Sequence, residues 1–377
     1  MNNHLAPTYQ VQFGGYWILW YSSSNNYSVV DNEFKMLLEA YLNATSVEAF
    51  SLELPEFDTV SDPRNISESL HVYLEQCNLQ DSEKKDLNFE FENSKAKIKR
   101  FYSIRDQIIQ INYDSELVEK TIHPSIAYLE RSEIQPTNAI FDVYLDKEHL
   151  CLFKNNKLIT AVPKRQYHLL QGKFIMNLLS LIHNKKESEW LGTFHGSTIS
   201  NGNSSILLVG ASGKGKSTLC ALLSVHGFEL VADDVSPMLS EDGNIYYNPS
   251  AISIKEGSFD ILNPIIAQFD QLPETVFNKT KGKLKYLPCK QPSNISYPCK
   301  AIVMVNYEKS AETVLESITV KELLETLIPE SWISHRPQHS KQFLDWLKSV
   351  YFYKLTYSET ESVIDKMVSL FEESDRN

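Results

Sequence analysis

The sequence predicts an α/β fold, and three neighbouring observations carry that expectation. Ile206-Leu207-Leu208-Val209 is a short apolar run that reads as a buried strand and ends directly on Gly210. After a glycine-rich bend, Thr218 to Val225 reads as a helix, stopped by His226-Gly227. Phe228 to Ala232 then reads as a second buried strand, ending on Asp233-Asp234. A strand-helix-strand crossover is right-handed and lays its two strands parallel, so both carboxyl ends open on one edge of the sheet. The acid pair should therefore meet the glycine-rich bend.

The remaining elements follow in chain order. Val11 to Tyr21 is apolar and aromatic, breaks at Ser22-Ser23-Ser24-Asn25-Asn26 and resumes at Tyr27-Ser28-Val29-Val30, which predicts a β-hairpin. Asp31 stands where an N-cap belongs, ahead of Phe34, Leu37, Leu38, Tyr41 and Leu42 at helical spacing. Further helices are expected around Val47 to Leu54 and from Ile66 to Cys77. A hairpin followed by three helices outlines a small winged-helix-like domain, residues 1–82. The polar stretch Asn78 to Asn93, with Asp81-Ser82-Glu83-Lys84-Lys85-Asp86, reads as a boundary. Residues 86–165 are strand-rich, with runs at Ile108 to Tyr113, Ala139 to Leu145, Leu150 to Phe153 and Leu158 to Val162, the last two joined by a turn at Asn155-Asn156. A helix from Arg165 to His183 leads into the third region, residues 166–377, which holds the crossover, a core strand at Ala301 to Val305 and a closing helix, strand and helix from Gln342 to Phe371.

Composition narrows the functional classes. A chain of 377 residues has room for two or three domains, and its 42% hydrophobic and 22% charged content is that of an ordinary globular protein. The net charge of −12, without a basic stripe, argues against a nucleic-acid partner and leaves a peptide or protein as the natural partner of the N-terminal domain. Five scattered cysteines form no C-x-x-C pair, which suits a reducing compartment, so a cytoplasmic location is expected. No apolar run reaches the length of a membrane span. Homo-oligomerisation is compatible with the sequence, which sets no oligomeric state.

Gly210-Ala211-Ser212-Gly213-Lys214-Gly215-Lys216-Ser217 satisfies G-x-x-x-x-G-K-[ST] in full. Glycines let the backbone curl so that successive N–H groups point at phosphate oxygens. Gly210, Ser212, Gly213, Lys214, Gly215, Lys216, Ser217 and Thr218 are thus the candidate residues for binding ATP. Lys216 is expected to meet the β and γ phosphates, and the Ser217 hydroxyl to hold Mg²⁺. Asp233 and Asp234 can divide the remaining work, one completing the metal shell and the other taking a proton from an attacking hydroxyl; the same pair before Val-Ser-Pro also suits a turn or cap. Thr193 to Ile199 and Ser204 to Val209 flank Asn201-Gly202-Asn203, a hairpin signal whose register would place His195 opposite residues 208 to 210. His195 could serve the acid-base chemistry there, or equally be a hydrogen-bonded histidine that fixes the hairpin. Lys255 and the basic segment Lys279 to Lys285 could face phosphates or an acidic substrate, although a solvated hairpin explains the segment as well.

His195-Gly196, Gly210 to Ser217, Leu230-Val231-Ala232-Asp233-Asp234, and Ile252-Ser253-Ile254-Lys255 with Gly257-Ser258 resemble the catalytic domain of the HPr kinase/phosphorylase family, more closely its HPr-kinase-related members found beside peptide-modification enzymes. The resemblance runs from about Ala139 to the C-terminus, and its most specific part is the Ala-Asp-Asp so soon after the glycine-rich loop. It implies a P-loop kinase domain of the HPr kinase and phosphoenolpyruvate carboxykinase type, with a twisted mixed sheet. It further implies ATP and Mg²⁺ as cofactors, Asp233 as the catalytic base and Asp234 as a metal ligand. The arginine-glycine-rich signature expected after the aspartates is missing, and Glu241 to Tyr247 is a plain hairpin instead, so neither HPr as acceptor nor phosphorolysis is carried over. Tyr16 to Cys77 resembles the PqqD-like domain that captures leader peptides of ribosomal natural products. The expected activity is γ-phosphoryl transfer to a serine or threonine of a peptide or protein, such as a leader-bearing precursor. The alternatives are a kinase of a small hydroxylated metabolite such as free serine, and a nucleotide-responsive assembly module without transfer. A carboxykinase is disfavoured because no arginine set for carboxylates is visible.

Overall fold

Two glycines reshape the first apolar run. Gly14, at φ +55°, turns the chain with Gly15, so that Tyr9–Phe13 and Tyr16–Tyr21 pair antiparallel and Asn26–Asp31 adds a third strand. Val11 to Tyr21, expected as one arm of a hairpin, is therefore a hairpin itself. The computed structural model describes residues 3–53, 62–80, 89–132, 136–276 and 282–376. Asp81 to Asp86 of the expected boundary, and Lys279, Thr280 and Lys281 of the basic segment, lie outside them.

The chain divides into two compact units, Met1–Lys84 with Ser317–Phe352, and Lys85–Glu316 with Tyr353–Asn377. In the first, the Asp31 carboxylate accepts from the Phe34 N–H at 2.8 Å and so starts the helix Asn32–Asn43. Val47–Glu53 and Pro63–Asn78 follow, and the helices bury Leu38, Phe50, Leu70 and Leu74 against Leu19, Tyr21 and Val30 of the sheet. The returning segment belongs to the same unit: the Phe343 ring, on the helix Pro337–Lys348, meets Tyr27 edge-on at 5.4 Å, and Asn25 donates to the Ile333 carbonyl at 2.8 Å.

The second unit holds a strand-rich region and the crossover. Its first sheet has six strands in the order Glu130–Arg131, Ile98–Ile104, Gln107–Tyr113, Ala139–Asp146, His149–Lys154, Lys157–Pro163, of which only Gln107–Tyr113 and Ala139–Asp146 run parallel. Asn155 and Asn156, both at positive φ, make the last turn. Helix Tyr167–Ile182 closes this sheet, burying Leu170, Phe174 and Leu178 against Ile111, Phe141 and Leu152. The mixed sheet of the crossover runs in the order Glu229–Ala232, Ser197–Ser200, Ser205–Val209, Ser296–Tyr307, Asn244–Tyr246, Val235–Leu239, Trp190–His195. Ile206, Leu208 and Val303 of that sheet pack against Leu219, Leu222 and Leu223 of helix Lys216–Val225 and against Met367 and Leu370 of helix Thr360–Arg376. Each such side chain stabilises by roughly 1.5–3 kcal/mol. A three-stranded antiparallel sheet, Ile252–Lys255, Lys283–Leu287 and Glu274–Val276, lies beside it in sequence.

The buried His183 is expected to make this unit sensitive to acid. His183 Nε2 lies 2.8 Å from the Tyr247 carbonyl and Nδ1 lies 3.2 Å from the Arg105 guanidinium, so Nε2 donates and Nδ1 accepts in the neutral ring. Burial, reinforced by Arg105, lowers its pKa from 6.5 to about 4. The unfolded chain therefore binds a proton that the folded chain does not, and stability should fall as pH drops from 6.5 to about 4. The loss should approach roughly 3 kcal/mol. Urea unfolding at several pH values should show it, and His183→Gln, which keeps a donor and an acceptor without the titration, should flatten the slope. An unchanged slope in the variant would assign the acid sensitivity elsewhere.

Candidate functional site

The glycine-rich loop is positioned by a fully buried strand. Ser205–Val209 delivers the chain to Gly210, which takes φ +139°, and Gly213 and Gly215 follow at +87° and +93°. The Lys214 N–H donates to the Ala211 carbonyl at 3.2 Å, closing the bend on itself. Two tyrosines hold it from outside: the Tyr307 N–H donates to the Lys214 carbonyl at 3.0 Å and the Tyr357 hydroxyl to the Gly215 carbonyl at 3.3 Å. Helix Lys216–Val225 starts where the bend ends, which leaves its first N–H groups directed back toward the loop. Lys216 is buried, and its ammonium donates to the Gly210 and Ala211 carbonyls.

The acids come to the loop as the crossover requires, with one strand between. Ser197–Ser200 is antiparallel to both Ser205–Val209 and Glu229–Ala232, so those two are parallel to each other. Asp233 is 1% exposed and lies under the helix start. It accepts from the Ser197 hydroxyl at 2.6 Å, from the Ser217 hydroxyl at 3.2 Å and from the Ser253 N–H at 3.0 Å. Burial, and secondarily Asp234, push its carboxyl up, against the lowering effect of those three donors. Asp234 differs in every respect. Its side chain is 69% exposed, its Oδ1 lies 3.5 Å from His195 Nδ1, and its φ is +65°. The Val235 N–H donates to the Asp233 carbonyl at 2.7 Å, so Asp234 is the middle residue of a three-residue γ-turn, a strained shape found where a fold holds a side chain for use.

His195 does not extend the hairpin toward the loop. The hairpin register pairs Ser197 with Leu208, but the chain switches neighbours at Gly196, and His195 pairs with Val235 on another strand. A Cβ at Gly196 would stand 2.6 Å from the Leu208 carbonyl, which is why a glycine occupies the switch. His195 thus pairs with Val235, and its imidazole lies beside the Asp234 carboxylate. The Thr218 hydroxyl lies 2.6 Å from that of Ser258. Lys255 reaches the loop, donating to the Ser212 hydroxyl at 2.8 Å.

The oxygen pair of Ser217 and Asp233 suits Mg²⁺, which takes hard oxygen donors and needs only one or two from the protein when phosphates and water supply the rest. Ser197, the Ser253 N–H, Tyr307 and Tyr357 support the site without having stood out in the sequence. Ser253 lies within Ile252-Ser253-Ile254-Lys255, whereas Ser197, Tyr307 and Tyr357 come to the site from other strands.

No family model and no curated protein matches the chain. Among solved structures, that of the HPr(Ser) kinase/phosphatase from Coxiella burnetii aligns with 48% of this chain and 94% of its own, at 11% identity and a TM-score of 0.22. At that score the alignment assigns no role to any residue. No helix among the described residues is long and apolar enough to cross a membrane.

Proposed function

We propose that the protein is an ATP- and Mg²⁺-dependent phosphotransferase that moves the γ-phosphoryl group to a serine or threonine hydroxyl of a peptide or protein. The observation that carries this reading is the 3.2 Å hydrogen bond from Ser217, at the start of the loop helix, to the buried Asp233 at the end of the next parallel strand. Lys216 and the loop N–H groups hold the phosphates, and Ser217 with Asp233 hold the metal, which when bound offsets the negative charge of the phosphates. We assign the acids in the order opposite to the one the family resemblance implies, because a base must be reachable by the acceptor. Asp233 is enclosed by three donors, whereas Asp234 is open and stands beside His195. The acceptor oxygen forms its bond to the γ-phosphorus as the bond to the bridging oxygen breaks. ADP leaves, and the hydroxyl proton passes to the Asp234 carboxylate, with His195 placed to orient it.

The test is incubation with ATP, Mg²⁺ and either peptides encoded beside the gene or free serine, followed by mass spectrometry. A phosphopeptide is the expected product; phosphoserine alone would redirect the acceptor to small metabolites. Asp234→Asn should cut transfer by about a hundredfold or more while MgATP affinity stays within about twofold. Tight nucleotide binding with no product from any acceptor would leave an assembly module in place of a kinase.

A further inference from the structure

The segment Ile252 to Ser258 is fastened to the loop region at three points. The Ser253 N–H bonds to Asp233 at 3.0 Å, Lys255 Nζ to the Ser212 hydroxyl at 2.8 Å, and the Ser258 hydroxyl to that of Thr218 at 2.6 Å. Lys255 is therefore held between two anchors, two residues after one and three before the other. It is exposed, yet in a chain of net charge −12 its ammonium rests on a neutral hydroxyl at the loop. A hydroxyl is a weak hold on a cation, and exchanging it for phosphate oxygens gains a charge-assisted bond. We propose that Lys255 is a second phosphate-binding cation that reads the terminal phosphate and makes the site prefer a nucleoside triphosphate to a diphosphate.

Position on the loop selects which phosphate. The Lys216 ammonium donates to the Gly210 and Ala211 carbonyls, and Ser212 is the next residue of the bend. That ammonium is the one that meets the β and γ phosphates. Lys255 comes to Ser212 from the segment Ile252–Lys255, so the two ammonium groups rest on consecutive residues of the bend, within reach of the phosphate a diphosphate lacks in this reading. Anchoring by Ser253 and Ser258 means that little ordering is left to be done on binding.

This inference rests on the nucleotide-binding reading, and one titration series separates the two. MgATP and MgADP affinities are measured calorimetrically for the full chain and for Lys255→Gln and Lys255→Arg, with melting temperatures without nucleotide as a check that an exposed substitution leaves the fold intact. The parent should bind MgATP more tightly than MgADP. Lys255→Gln should lose about tenfold or more in MgATP affinity and less than about twofold in MgADP affinity, and Lys255→Arg should recover most of the loss. Equal losses for both nucleotides, or none, would overturn the role of Lys255 while the nucleotide site stands. A parent that binds neither would overturn the nucleotide reading and this inference with it.

Discussion

Asp233→Asn is expected to lower phosphoryl transfer by about a thousandfold or more and to raise the melting temperature of the nucleotide-free protein. Both effects have one origin. Asp233 is 1% exposed, and the donors that hold it are two hydroxyls and one backbone N–H. Burial pushes its carboxyl up, so the folded chain retains this proton over a pH range in which the unfolded chain has released it. Stability therefore falls as pH rises from about 4, the ordinary carboxylate value, through the raised one, and the deficit persists above it. Asparagine keeps the shape and an acceptor for Ser253 without the charge. The variant should melt higher than the parent near neutral pH, and the gain should vanish near pH 4. Mg²⁺ should add to the ATP-induced rise in melting temperature of the parent and add nothing to that of the variant. A variant that melts lower at neutral pH would mean that Asp233 is structural rather than a charge held ready for a cation. Such a trade of stability for function is common where a site keeps an uncompensated group.

What could be read from the chain before folding divides along sequence distance. The strand, glycine-rich bend and helix from Ser205 to Val225 are consecutive, and their apolar run, left-handed glycines and helix formers all point one way. The parallel direction of the two strands follows from the helical crossover between them, although the intervening Ser197–Ser200 does not. Hairpin register extrapolates only while a strand keeps its neighbours, and Gly196 lets the chain change them, so the pairing of His195 with Val235 is not encoded in the hairpin. The turn at Gly14-Gly15 is masked in the sequence for the converse reason, since the flanking residues are strand formers on both sides of it. Lys255 on Ser212 and Tyr357 on Gly215 join residues 43 and 142 positions apart, and no local pattern encodes such contacts. The difference between Asp233 and Asp234 is likewise tertiary. Adjacent identical residues become a buried acceptor and an open one through a single γ-turn.

Gly210→Ala is expected to destabilise the second unit by about 3 kcal/mol or more and to abolish nucleotide binding, whereas Gly213→Ala should cost only about 1 kcal/mol. The two glycines share a backbone problem and differ in space. Gly210 at φ +139° and Gly213 at +87° both occupy conformations that disfavour a side chain. A Cβ on Gly213 would meet nothing within 4 Å, so strain is its whole penalty. A Cβ on Gly210 would stand 2.8 Å from the Val305 carbonyl oxygen, an atom of the strand Ser296–Tyr307, which pairs in parallel with Ser205–Val209 and is buried there. That oxygen cannot rotate away as a side chain would. Relief requires the end of the loop strand to lift from its neighbour, and the Gly210 carbonyl, on which the Lys216 ammonium rests, moves with it. The loss of nucleotide binding in Gly210→Ala is thus a displacement of Lys216 at second hand. Thermal unfolding with and without MgATP on both variants tests this: equal destabilisation would mean that strain alone governs, and the close approach to Val305 would carry no weight.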